Sequence, residues 1–89
     1  MGAATDGITE PRPWYFLRVG SDCLQDSDGP YRTRRAAIAR FRSIARDLAR
    51  FGQSVEASIH VAGSRDALEE YPEYVCSGGP RGGIRVERA

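Results

Sequence analysis

The chain has 89 residues, with 13 arginines, no lysine, 12 acidic residues and one histidine, for a net charge of +1. That length predicts one domain with a modest core. A hydrophobic content of 40% excludes a disordered chain, and the near-neutral charge excludes a generic polycation of the histone type.

The first thirteen residues, "MGAATDGITEPRP", hold Gly, Ala, Thr and two prolines and predict a disordered lead. They have neither a basic n-region nor an apolar run, so no secretory signal is expected. Asp6 stands where a myristoylation signal needs Ser or Thr. A cytoplasmic protein follows as the expectation, with Cys23 and Cys76 reduced. The sequence by itself leaves a disulfide between them open. No segment approaches the roughly 18 apolar residues of a membrane span.

"WYFLRV", Trp14 to Val19, is aromatic and β-branched and predicts a strand. "GSD" reads as a turn, "CLQD" as a short returning strand, and "SDGP" as a break. A long helix is expected from Arg34 to Phe51. Thr33 is its N-cap, and Tyr31 and Ala37 lie near the staple positions. Ala37, Ile38, Phe41, Ile44, Ala45, Leu48 and Phe51 recur at helical spacing, and Gly52 is the terminator.

"SVEASIHVA" alternates, with Val55, Ala57, Ile59 and Val61 on one face and Glu56, Ser58 and His60 on the other, as a half-buried strand does. "GSRDALEEYP" predicts one or two helical turns, capped by Ser64 and stopped by Pro72. "EYVCS" and "GIRVER" predict two strands joined through the glycines of "GGPRGG".

The fold expectation is a single α+β domain over 14–89, in the order β-β-α-β-β-β. It is a two-layer sandwich with one long amphipathic helix on a mainly antiparallel sheet of four to five strands. One helix leaves the second sheet face uncovered, which invites a second chain or a ligand.

The segment "GPYRTRRAA", with the strand before it and the strand after it, resembles two groups over about residues 14–61. One is a set of small uncharacterised bacterial domains built as a Trp-containing strand, a Thr-capped helix ending near "LARFG", and a strand. The other, more remote, is the arm-type DNA-binding domain of tyrosine recombinases, where strands precede a similar helix. The second resemblance implies DNA binding.

Catalysis is not expected. His60 is the only histidine, and nothing at short spacing pairs it with Cys23, Cys76 or a serine. On the polar face of a strand it reads as solvated or packed on the sheet. Asp66, Glu69 and Glu70 read as a solvated acidic helix start. "SGGPRGG" lacks the G-K-[ST] of a phosphate loop and does not open a helix. Three scattered Cys/His residues fall short of the about four ligands of a structural zinc site. No metal and no cofactor are therefore expected.

Binding chemistry is concentrated in Arg32 to Phe51, which has seven arginines and one acid, Asp47. At 100° per residue, Arg35, Arg42, Arg46 and Arg50 fall within an arc of about 80°, in a stripe about 22 Å long opposite Phe41 and Leu48. Arg34 stands at its edge. Arg46 and Arg50 suit the negative end of the helix dipole, but Arg34 and Arg35 oppose its positive end. Asp22, Asp26, Asp28 or an external anion should compensate that first-turn pair.

A GC-rich genome produces the same arginine bias, and a solvated helix face remains the plain alternative. A second candidate surface is the sheet face bearing Trp14, Phe16 and Arg18, an aromatic-basic platform for single-stranded nucleic acid if left open.

Three functions are thus expected in turn. The first is a small non-catalytic binding or regulatory module that holds nucleic acid through Arg34, Arg35, Arg42, Arg46 and Arg50. The second is a protein-binding adaptor or inhibitor of the mobile-element kind, using the open sheet face or the acidic segment 66–73. The third is a homodimer without a ligand.

Overall fold

A computed structural model describes residues 13–89 of the chain. The disordered lead read from 1–13 therefore lies, apart from Pro13, outside the described residues. Five strands form one sheet: β1 (Trp14–Val19), β2 (Asp28–Tyr31), β3 (Val55–Ala62), β4 (Tyr74–Gly78) and β5 (Ile84–Arg88). Their order is β2-β1-β3-β4-β5, and every neighbouring pair is antiparallel. One long helix, α1 (Arg34–Ala49), packs across one face. The predicted α+β two-layer architecture is what the chain forms.

The termini of α1 follow from local chemistry. Thr33 has extended backbone, and its Oγ1 accepts the Ala36 N–H at 3.1 Å, which satisfies one of the orphan donors of the first turn. At the other end Gly52 has φ +69. The Gly52 N–H reaches the Ala49 carbonyl and the Gln53 N–H reaches the Leu48 carbonyl, both at 3.0 Å, which is a Schellman closure. The helix stops short of Phe51. That ring is 77% exposed and does not join the apolar face as predicted.

Helical and strand periods meet in one core. Ala37, Phe41 and Ala45 of α1 pack on Leu17, Val55, Ala57, Ile59 and Cys76 of the sheet. Phe41 is fully buried, and Phe41→Ala would cost about 3–5 kcal/mol through lost transfer energy and the cavity left behind. The helix lies close on the sheet at Gly78, where an added Cβ would sit 2.8 Å from the Cβ of Ala45. A side chain at that position would lift α1 off β4.

Two local expectations are corrected. "CLQD" is not a strand. Cys23 precedes a 3-10 turn at Leu24–Asp26, and the returning strand is the "DGPY" segment that reads as a break. Pro30 is tolerated because β2 lies at a sheet edge. The β1–β2 register shifts between Tyr15 and Leu17, and Gly29 sits at that irregularity with φ +129. A Cβ there would lie 2.9 Å from the Tyr15 carbonyl oxygen. In the second case, the expected helical turn does form, as a single 3-10 turn at Arg65–Ala67, but Ser64 makes no side-chain cap.

The second sheet face is half covered. Phe16, Leu24 and Leu68 form a small cluster flanked by Trp14 and Ala62, so the two 3-10 segments close over β1 and the end of β3. The other half, with Glu56, Ser58, Val75, Ser77, Arg85 and Glu87, is polar apart from Val75 and shallow. No described helix is long and apolar enough to cross a membrane.

Candidate nucleic-acid interface

The helical period places Arg35, Arg42, Arg46 and Arg50 on the outer face of α1, and all four are exposed. Among the described residues, none of them has a carboxylate oxygen within 4.0 Å. Asp47 stands on the same helix without an ion-pair partner at that distance.

Arg34 and Arg40 behave differently. Arg34 turns toward the sheet, donates to the Tyr74 hydroxyl at 2.9 Å and lies 5.4 Å from the centre of that ring. Arg40 Nε donates to Asp28 Oδ2 at 2.9 Å. The Tyr31 hydroxyl donates to the same oxygen at 2.6 Å. This three-residue cluster ties β2 to α1. The Tyr31 bond, then Arg40, holds the Asp28 carboxyl below its usual range against the opposing effect of burial. Burial and the Asp28 charge push the Tyr31 hydroxyl up to about 12.

The compensation expected for the first-turn arginines is therefore different from the structure's. Asp28 engages Arg40, Arg34 is held by Tyr74, and Arg35 is exposed with no acid paired to it among the described residues. Arg34, Arg35 and Arg42 line an open depression of about 370 Å³ together with Ile38 and Ala39. Arg88 adds a further cation on that side, 5.5 Å from the Tyr74 ring. Sequence reasoning missed Arg88 and Tyr74. The hairpin register that pairs them was the available signal.

The Trp14–Phe16–Arg18 platform is not open. Phe16 is 1% exposed beneath Leu24 and Leu68, so no base can stack on it. Arg18 donates to Glu70 Oε1 at 2.9 Å and to the Asp22 carbonyl at 2.7 Å. The half-buried Trp14 has the Arg32 guanidinium 5.1 Å from its ring centre. The acidic turn covers this face, so its charge and its aromatic surface are already engaged within the chain.

His60 lies on the face assigned to it and, of the two readings, is packed on the sheet and buried rather than solvated. Its Nδ1 is 2.9 Å from the Glu69 carbonyl, which can only accept, so Nδ1 carries the proton. Nε2, 2.8 Å from Ser58 Oγ, then accepts from that hydroxyl. Burial lowers the pKa of His60 and outweighs the Glu69 carbonyl's opposing pull. With both nitrogens engaged, the ring pins the 64–71 segment to β3. The cysteines are both free; Cys23 is exposed and Cys76 is buried against α1, where burial pushes its thiol up to about 11.

No family model, curated protein or solved structure matches the chain.

Proposed function

We propose that the chain is a non-catalytic, cytoplasmic binding module that holds nucleic-acid phosphates along the Arg35, Arg42, Arg46 and Arg50 face of α1. One observation carries this reading: four guanidiniums line one helix face about 22 Å long with, among the described residues, no acid paired to any of them. Guanidinium forks match phosphate oxygens bidentately, and a line of this length spans several phosphates. Among the described residues, the eight other arginines are offset by ten acids, so the uncompensated positive charge is on this face. Contacts of this kind position a duplex and read no base edges. Arg34 and Arg88, anchored at Tyr74, border the surface.

A second reading rests on Tyr71, which is 87% exposed among the exposed Glu69, Glu70 and Glu73. It makes the chain a protein-binding adaptor or inhibitor that offers the acidic segment 66–73 to a basic partner. An exposed ring in an acidic setting suits an interface anchor.

Fluorescence anisotropy with labelled duplexes of unrelated sequence tests the first reading. Binding at low salt, equal across sequences and lost as salt rises, supports it. No binding at low salt defeats it. Capture of a host protein that survives nuclease treatment, and is lost on Tyr71→Ala, then favours the second.

A further inference from the structure

We propose that β5 pairs with β5 of a second copy, antiparallel and centred on Val86, to make one ten-stranded sheet. This goes beyond the helix-face reading and does not depend on it.

The hydrogen-bond phase of β5 is set at its two ends. The Gly79 N–H donates to the Gly83 carbonyl at 2.7 Å, and the Ala89 N–H donates to the Glu73 carbonyl at 2.9 Å. Backbone groups of residues 83 and 89 thus point at β4. The period of two makes residues 85 and 87 do the same. The N–H and C=O groups of Ile84, Val86 and Arg88 therefore point outward, and among the described residues nothing pairs with that edge.

The two edges of the sheet are not alike. At the other edge β2 has four residues, an irregular register and Pro30, which has no N–H to offer. Those features discourage further pairing. β5 has regular register with β4 throughout its five residues and contains no proline.

Charge selects both the occupant and the register. With Val86 opposite Val86, Arg85 of each copy faces Glu87 of the other, and Ile84 faces Arg88. The Val86 and Ile84–Arg88 pairs are the hydrogen-bonded ones. Arg85–Glu87 falls in the non-hydrogen-bonded positions, where side chains of opposite strands come closest. These two residues lie on the open sheet face, only 3.8 Å apart within the chain, with side chains 74% and 63% exposed. A slip in the pairing would set Arg85 against Arg85 or Glu87 against Glu87, which repel. On the opposite face, the half-buried Val86 would gain its own counterpart as an apolar neighbour, with Ile84 diagonal to it.

Sedimentation velocity over a concentration series tests the pairing, using wild type, Arg85→Glu, Glu87→Arg, and an equal mixture of the two variants. The expected result is a reversible wild-type dimer, weakened on the order of tenfold or more by either reversal. The Arg85→Glu chain then carries only acids on this strip and the Glu87→Arg chain only bases. Their mixture should restore the dimer. A wild-type chain that stays monomeric at the highest concentration overturns the proposal, as does a dimer indifferent to both reversals. Hydrogen exchange on wild type gives a check that needs no variant. Amides of Ile84, Val86 and Arg88 should gain protection with concentration, and exchange rates independent of concentration would contradict the pairing.

Discussion

The guanidinium of Arg65 lies 5.2 Å from the centre of the buried Phe16 ring. The same group donates to the carbonyls of Gln25 and Ser27 in the excursion between β1 and β2, and to that of Gly29 in β2. One side chain thus secures the covered half of the second sheet face by joining the two 3-10 segments over Phe16.

Arg65→Ala should destabilise the fold by about 2–3 kcal/mol, because it leaves part-buried carbonyls without their charged donor. Arg65→Lys should recover only part of this, since an ammonium cannot serve three acceptors with a planar fork. Urea denaturation of the two variants measures both effects. A loss near zero for the alanine variant would mean that Leu24 and Leu68 hold the face closed without Arg65.

His60 makes stability depend on pH. Its folded pKa lies below the ordinary 6.5, so the unfolded chain binds the proton more readily. Stability from this residue is complete above 6.5 and is lost as pH falls from there toward the folded value. Denaturation midpoints should fall over that window in the wild type and much less in His60→Gln. A wild-type midpoint unchanged across the window would contradict the buried, neutral imidazole.

The two thiols should differ in reactivity. Iodoacetamide should modify the exposed Cys23 in the native protein, and Cys76 only after denaturation, because burial keeps the Cys76 thiolate scarce. Cys76→Ser should cost about 1–3 kcal/mol by placing a hydroxyl in an apolar site, and Cys23→Ser close to nothing. Intact-mass spectra with and without denaturant read the first outcome, and rapid native labelling of both thiols would contradict it.

The helix was legible in the sequence because its signals agree. The Thr33 cap, the apolar period and the Gly52 stop all describe one element. β2 was not, since Gly29 and Pro30 signal a break wherever neighbours are ignored, and only pairing at a sheet edge makes them a strand. Alternation in β3 placed His60 on the correct face. It could not show that 64–71 folds over that face, because period two reports direction and not cover. Arg65 carried no pattern at all, as a lone arginine in a polar loop looks solvated. The arginine face followed from 100° arithmetic. The same arithmetic sets Arg34 100° away from Arg35, on the sheet side, where Tyr74 holds it.

The salt dependence of duplex binding, compared between wild type and Arg42→Gln/Arg46→Gln, tests the central claim most directly. Both side chains are exposed and, among the described residues, without ion-pair partners, so the double change should leave stability almost unaltered. With about four phosphate contacts, the slope of log K against log salt should be near −3 to −4 in the wild type. The double change should flatten that slope by nearly two units. An unchanged slope would contradict the account, since phosphates would then be held somewhere other than the outer face of α1.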